Sequence, residues 1–151
     1  MITRPVSPLN VLIIEDEALL VMDIELVVQD SGHRVISDVA SVPDLEALDL
    51  NEKPDRVLVD VNLAKGTSGL DASAIVRERW AESYIVFVTA NPSKIPQGHV
   101  GSHGVIAKPF TQKGLTSALE YIRQGICEPP PTTPLPDSFV SFPAFEASWI
   151  L

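Results

Sequence analysis

The chain has 151 residues, 45% of them hydrophobic, which is enough for one folded domain with a core. Its formal net charge is −9 and its 11 Lys and Arg residues are scattered, so we expect no binding to nucleic acid or to a membrane, which both need basic patches. One cysteine, Cys127, excludes an internal disulfide, and the sequence shows no signal peptide and no apolar run of roughly 20 residues, so we predict a cytoplasmic protein.

Five short runs rich in Val, Ile and Leu predict β-strands. They lie at about residues 9–14, 34–39, 56–60, 84–89 and 104–107. Because apolar residues fill these runs almost continuously, we expect parallel strands that helices cover on both faces.

Amphipathic segments separate most of these strands and predict helices. Their apolar residues recur at helical spacing, and capping residues stand at several of their ends. The residues that identify them are Leu20, Ile24, Val27, Val28 and Gly32 in the first, Ser41, Pro43, Leu45 and Leu48 in the second, about Leu70 to Trp80 in the third, and Thr111, Leu115, Ala118, Leu119 and Ile122 in the last. Strands that alternate with helices predict an α/β fold with a doubly wound parallel sheet.

The segment 91–104 interrupts this alternation. It holds two prolines and three glycines, which break any long helix. We therefore expect the fourth helix to be short or irregular.

Polar residues stand where four of the predicted strands end. Glu15 and Asp16 follow the first strand, Asp60 ends the third, Thr89 ends the fourth, and Lys108 follows the fifth. In an open α/β sheet, ligands bind outside the carboxyl ends of the strands, so these side chains converge on one pocket. Carboxylates, a hydroxyl and a lysine together suit Mg²⁺ and a phosphoryl group.

Each of these residues also has a simpler interpretation. The two acids could merely begin a helix, where they favour its dipole. Asp60 could be a metal ligand, a general base, a nucleophile that forms an aspartyl phosphate, or a turn residue. Thr89 could be an ordinary strand residue and Lys108 a solvated lysine, although a cis bond before Pro109 would aim Lys108 into the pocket.

In combination and in this order, the residues resemble the receiver domain of bacterial response regulators over about residues 8–125. The resemblance implies a flavodoxin-like five-stranded sheet of order 2-1-3-4-5, preceded by an extension at 1–7 and followed by a tail at 126–151. It also implies a role for each residue of the site. Asp60 is phosphorylated, Thr89 is the switch hydroxyl, Lys108 binds the phosphoryl group, and the Mg²⁺ ligands are Glu15, Asp16, Asp60 and the backbone carbonyl of Asn62.

The resemblance further implies phosphoryl transfer to Asp60 from a sensor histidine kinase or a phosphotransfer protein. Mg²⁺ assists the transfer. The protein would then be a phosphorylated switch for a downstream partner, or a phosphate sink, rather than an enzyme.

Two departures from the family pattern concern the face that receivers commonly use for dimerisation and output. Val105 stands where many receivers have an aromatic residue that moves with the threonine, and the segment 91–104 replaces a regular helix. The ordinary receiver dimer is therefore not expected. The string at 87–92 is similar to receivers that accompany stress-response or light-response kinases in alphaproteobacteria.

Two other functions remain open at this point. A phosphatase of the haloacid dehalogenase type also uses a strand-end aspartate, but carries a second aspartate two residues later, where this chain has Asn62. A degenerate receiver would be an interaction module alone, which the intact acidic pocket argues against.

The tail combines proline with large apolar residues. Six prolines lie within 129–143 and predict an extended, polyproline-like chain. Phe139, Phe142, Phe145 and Trp149 are too many large apolar groups for a free linker. The tail could bind a partner, but we favour docking on its own receiver or on a second copy, which would form a homodimer.

Overall fold

The computed structural model describes residues 4–96, 99 and 101–150. Its centre is a six-stranded sheet with helices on both faces. The strands are β1 (Asn10–Ile14), β2 (Arg34–Val39), β3 (Arg56–Val59), β4 (Tyr84–Thr89), β5 (Gly104–Ala107) and β6 (Val140–Ser141). The α-helices are α1 (Ala18–Asp30), α2 (Val42–Ala47), α3 (Gly69–Arg79), α4 (Gln112–Cys127) and α5 (Pro143–Ala147).

The order of the strands is β2-β1-β3-β4-β5-β6. The first five are parallel, which confirms the predicted fold and the order 2-1-3-4-5. The prediction of five strands was incomplete, because β6 pairs with β5 in the antiparallel direction. The additional strand comes from the tail.

Side chains alternate between two apolar layers along each central strand. Val11 and Ile13 of β1 belong to the layer that packs on α1 and α4, whereas Leu12 and Ile14 belong to the layer that packs on α2 and α3. All four residues are fully buried. The continuous apolar runs therefore arise because both faces of the sheet are covered.

Capping residues determine where several helices begin and end. The Ser41 hydroxyl accepts a hydrogen bond from the N–H of Asp44 at 3.2 Å, and the Thr111 hydroxyl accepts one from the N–H of Gly114 at 2.9 Å. Gly32 has φ +84° after α1, a conformation that glycine adopts readily. These observations confirm the caps predicted at Ser41 and Gly32 and the predicted start of the last helix near Thr111.

Between β4 and β5 the chain forms one 3₁₀ turn, Pro92–Lys94, and no α-helix within the described part of that segment. This confirms the prediction of a short or irregular fourth helix. The remaining described residues of the segment follow no regular structure before β5. Among the described residues, no helix is both long enough and apolar enough to cross a membrane.

The tail folds onto its own receiver. Residues 128–139 contain neither helix nor strand, and the short strand β6 follows. After it come α5 and a 3₁₀ turn at Ser148–Ile150, which the sequence did not predict. Phe139 and Phe145 are buried in the layer that contains α4. Arg4 of the N-terminal extension donates hydrogen bonds to backbone oxygens of that turn. Docking on the same chain is observed; the homodimer stays a prediction.

Candidate functional site

The predicted site residues lie together at the carboxyl ends of the central strands. Backbone hydrogen bonds hold these ends in register: Asp60 N–H donates to Ile14 O, and Lys108 N–H donates to Thr89 O, both at 2.9 Å. Glu15 directly follows β1 at the same edge. The parallel pairing of β1, β3, β4 and β5 therefore positions the site.

One lysine bridges two buried carboxylates. Lys108 Nζ lies 2.6 Å from Glu15 Oε1 and 2.9 Å from Asp60 Oδ2. The side chains of the three residues are at most 10% exposed. Two carboxylates and one ammonium leave an excess negative charge in a poorly solvated place, which favours a further cation. The Lys108–Pro109 peptide bond is cis.

Glu15 also contacts the start of α1. Its Oε2 accepts hydrogen bonds from the backbone N–H of Asp16 at 3.0 Å and of Glu17 at 3.2 Å. Burial raises the pKa of Glu15 to about 7, although hydrogen bonds from Lys108 and Glu17 oppose this effect. Burial alone would lower the pKa of Lys108, but its hydrogen bonds to Glu15 and Asp60 and the negative charge of both carboxylates together outweigh burial and raise it. The Lys108 ammonium therefore stays charged.

The carboxylates fit a divalent cation. Oxygen atoms of Glu15, Asp16 and Asp60 lie within 4.8 Å of one another, and Asp16 is exposed while the other two are buried. Mg²⁺ takes oxygen ligands from one or two carboxylates and keeps several waters, which the open side at Asp16 allows. The Asn62 N–H donates to Asp60 Oδ1 at 3.3 Å, which brings the Asn62 backbone to this cluster. The Asn62 carbonyl as a ligand stays a prediction.

Thr89 lies at the neighbouring strand end and is fully buried. Its Oγ1 accepts a hydrogen bond from the N–H of Asn91 at 3.1 Å. The backbone bond to Lys108 fixes its position relative to the lysine. Its predicted movement toward a phosphoryl group stays a prediction.

Two residues at the site were not predicted. Lys94 Nζ donates to Asn62 Oδ1 at 3.0 Å, so a second lysine borders the pocket from the 3₁₀ turn. A Cβ on Gly69 would overlap the backbone oxygen of Asp60, so α3 can begin beside Asp60 only with glycine there. No signal in the sequence marks Gly69 as part of the site, and Lys94 stands in a segment without a regular period.

Comparison with known proteins decides the family. Residues 11–120 match the model of the response regulator receiver domain. The chain belongs to the response regulator receiver family. The fold and the acidic cluster at the strand ends agree with this membership.

Several relatives of this receiver are regulatory proteins of bacteria. The chain is 33% identical to the phyllosphere-induced regulator PhyR of Methylorubrum extorquens over 112 residues, which cover 73% of this chain and 42% of the relative. It is 31% identical to the transcriptional regulatory protein PdtaR of Mycobacterium tuberculosis over 117 residues, which cover 75% of this chain and 56% of the relative. The chain thus spans about half the length of the curated relatives it matches.

Solved structures give the same result. The receiver domain of Erythrobacter litoralis PhyR superimposes with a TM-score of 0.69 and 30% identity, over 84% of this chain and 96% of that one. Brucella abortus PhyR superimposes with a TM-score of 0.61 and 33% identity, over 76% of this chain and 46% of that one.

Proposed function

We propose that Asp60 accepts a phosphoryl group from the phosphohistidine of a sensor histidine kinase or a phosphotransfer protein. The observation that supports this most directly is the buried contact of Lys108 with Asp60 and Glu15, beside the exposed Asp16. A carboxylate at a buried strand end is costly without compensation, and the lysine supplies only part of it. The site is therefore prepared for a cation and a phosphoryl group.

The transfer requires one nucleophilic oxygen. An Asp60 oxygen attacks phosphorus, the P–N bond of the phosphohistidine breaks, and its electron pair remains on the imidazole nitrogen. The residues that would hold Mg²⁺ are Glu15, Asp16, Asp60 and the carbonyl of Asn62. When bound, Mg²⁺ offsets the negative charge that develops on the phosphoryl oxygens.

Two further residues respond to the new charge. Lys108, which pairs with Asp60 in this structure, pairs with a phosphoryl oxygen. The Thr89 hydroxyl, whose oxygen accepts from the Asn91 N–H in this structure, donates its hydrogen to another phosphoryl oxygen. The change shifts the population between two conformations, which a downstream protein in the cytoplasm reads, or the protein stores the phosphoryl group as a sink. The chain acts as a switch rather than as an enzyme.

Phosphorylation by a small phosphodonor tests this function. Wild type, Asp60→Asn and Asp71→Asn are incubated with acetyl phosphate, with and without Mg²⁺, and intact masses are measured. Asp71 is an exposed acid of α3 and serves as the matched control. We expect one added phosphoryl group in wild type and Asp71→Asn, only with Mg²⁺, and none in Asp60→Asn.

Three other results would contradict the proposal. Equal labelling of Asp60→Asn would place the acceptor elsewhere. Continuous release of phosphate from many esters would indicate the phosphatase. No labelling by acetyl phosphate or by a phosphorylated phosphotransfer domain would indicate a receiver that serves only as an interaction module.

A further inference from the structure

The tail covers one edge of the sheet. Gly104 and Val105 of β5 pair with Ser141 and Val140 of β6. The Phe142 N–H donates a hydrogen bond to the backbone oxygen of His103, the residue before β5, at 3.1 Å. A bare edge strand presents unpaired N–H and C=O groups that other chains can bind. The tail satisfies these groups in the way that an added peptide strand does.

Two glycines leave space that the tail fills. A Cβ on Gly104 would overlap the ring of Phe139 and the backbone of β6. A Cβ on Gly125 of α4 would overlap the ring of Phe145 and approach the indole nitrogen of Trp149 to 2.9 Å. At both glycines, the three atoms nearest to the added Cβ all belong to the tail. The receiver therefore has two sites shaped for the tail's aromatic rings.

Aromatic contacts anchor the tail in these sites. Phe145 is fully buried, and its ring meets those of Phe139 and Tyr84 edge to face at 6.0 Å and that of Trp149 at 5.3 Å. Tyr121 of α4 lies between them, 5.9 Å from Phe139 and 6.3 Å from Phe145. Buried aromatic anchors beside a paired strand are features of a surface that binds a peptide segment.

The same surface includes the strand that directly precedes Lys108. β5 has four residues, so the pairs with the tail and the contact of Lys108 with Thr89 occupy opposite ends of one short strand. Val105 of β5 pairs with Val140 of the tail. Phe142 packs against the apolar cluster that contains Val105. The tail thus pairs with the strand that leads directly into Lys108, the residue that contacts Asp60.

We propose that the edge of β5 and the adjoining face of α4 form a binding surface for a segment that pairs as a short strand and continues into a helical turn with aromatic anchors. Residues 138–150 are its resident occupant, and a phosphoryl group at Asp60 weakens their binding. The surface then accepts a partner segment of the same chemistry. Because the tail is tethered, its effective concentration is high and it excludes such partners until it is loosened. This inference rests on the proposed function of Asp60.

Hydrogen exchange of the full chain tests the coupling. The protein is measured with Mg²⁺ alone and with Mg²⁺ and beryllofluoride, an analogue of the phosphoryl group, while ¹⁹F NMR reports occupancy of the site. We expect exchange of the amides at 138–150 to accelerate by about tenfold on occupancy, while β1 and β3 stay protected.

The possible results separate the two proposals. An occupied site with unchanged exchange in the tail would overturn the coupling and leave the phosphoacceptor function intact. If neither beryllofluoride nor a phosphoryl group reached Asp60, both proposals would fail.

A glycine variant tests the surface without any ligand. Gly125→Ala raises the helix propensity of α4, so it should stabilise the chain if the tail does not need this space. We expect the opposite: exchange in the tail accelerates by about tenfold, because the methyl group displaces Phe145. Ser117→Ala, at an exposed position of the same helix, is the control. Retained exchange protection in β1 and β3 confirms that the variant is folded. Unchanged amide exchange in the tail would contradict the proposed binding surface.

Discussion

At the scale of single residues, Lys108 is the main compensation for two buried carboxylates. Its ammonium contacts Glu15 and Asp60 at 2.6 and 2.9 Å in a place with little solvent. Removal of one partner of a buried ion pair leaves uncompensated charge. We predict that Lys108→Met lowers the free energy of unfolding by about 2–4 kcal/mol in urea without divalent metal, and that added Mg²⁺ restores part of this loss.

A surface lysine provides the control for this measurement. Lys65 approaches Asp44 at 3.9 Å, with both side chains largely exposed. Lys65→Met should change the free energy of unfolding by less than about 0.5 kcal/mol, with or without Mg²⁺. Equal losses in the two variants would show that burial of Lys108 has no special energetic role.

The site residues could be predicted wherever the sequence shows where a strand ends. Glu15, Asp60 and Lys108 follow apolar runs whose ends the sequence marks clearly, and the parallel pairing brings them together. Lys94 could not be predicted, because its contact with Asn62 depends on the path of an irregular turn. Neither the helix and strand propensities of the residues nor the spacing of apolar residues indicates the path of such a turn.

At the scale of elements, the start of α3 constrains the position of Asp60. An added methyl group at Gly69 would overlap the Asp60 backbone oxygen. We predict that Gly69→Ala slows phosphorylation by acetyl phosphate at least about tenfold, because a displacement of the nucleophile by about 1 Å is costly in transfer reactions. Rates are measured by intact mass at a fixed Mg²⁺ concentration.

A second glycine distinguishes displacement of the site from general destabilisation. Gly32 has φ +84° with open space around it, and it lies after α1 at the other end of the helix. Gly32→Ala should lower stability by about 1 kcal/mol through backbone strain while the phosphorylation rate stays unchanged. If both variants slowed phosphorylation equally, the argument from the position of Asp60 would be wrong.

The elements that the sequence predicted well are those with local signals. The apolar strands and the helices with caps such as Ser41 carry their own patterns, so β1 to β5 and α1 to α4 lie close to their predicted positions. The pairing of β6 depends on Gly104, and the position of α5 depends on Gly125. Both glycines are distant in sequence from the tail residues that pack against them. No pattern within the tail contains that information, which is why only docking, and not its form, could be predicted.

At the scale of the whole molecule, two histidines join the loops to the sheet in their neutral form. His33 Nδ1 accepts the N–H of Leu9 at 2.9 Å, and His103 Nδ1 accepts the N–H of Ile85 at 3.0 Å. Burial lowers the pKa of each to about 4, and the positive charge of Arg56 adds to the effect at His33. Both histidines must stay unprotonated to accept these bonds.

This requirement makes the stability of the molecule depend on pH. Because the pKa in the unfolded chain is about 6.5, the unfolded state binds more protons between about pH 6.5 and 4, and the free energy of unfolding falls as the pH falls through this range. Each histidine should lower the free energy of unfolding by about 2 kcal/mol as the pH falls from about 7 to about 5. Glu15 has the opposite effect on the free energy of unfolding. Because its pKa in the folded protein is raised to about 7, the folded state gains a proton in the same pH range and is stabilised by it.

A substitution that keeps the acceptor isolates the histidine effect. In His33→Asn, the side-chain oxygen can accept the Leu9 N–H but does not titrate, whereas Glu15 and His103 remain as in wild type. The loss of unfolding free energy between about pH 7 and pH 5, measured in urea, should be about 2 kcal/mol smaller in the variant than in wild type. The contribution of Glu15 is common to both proteins and cancels in this difference. Equal losses would mean that His33 is protonated in the folded protein and that another group accepts the Leu9 N–H.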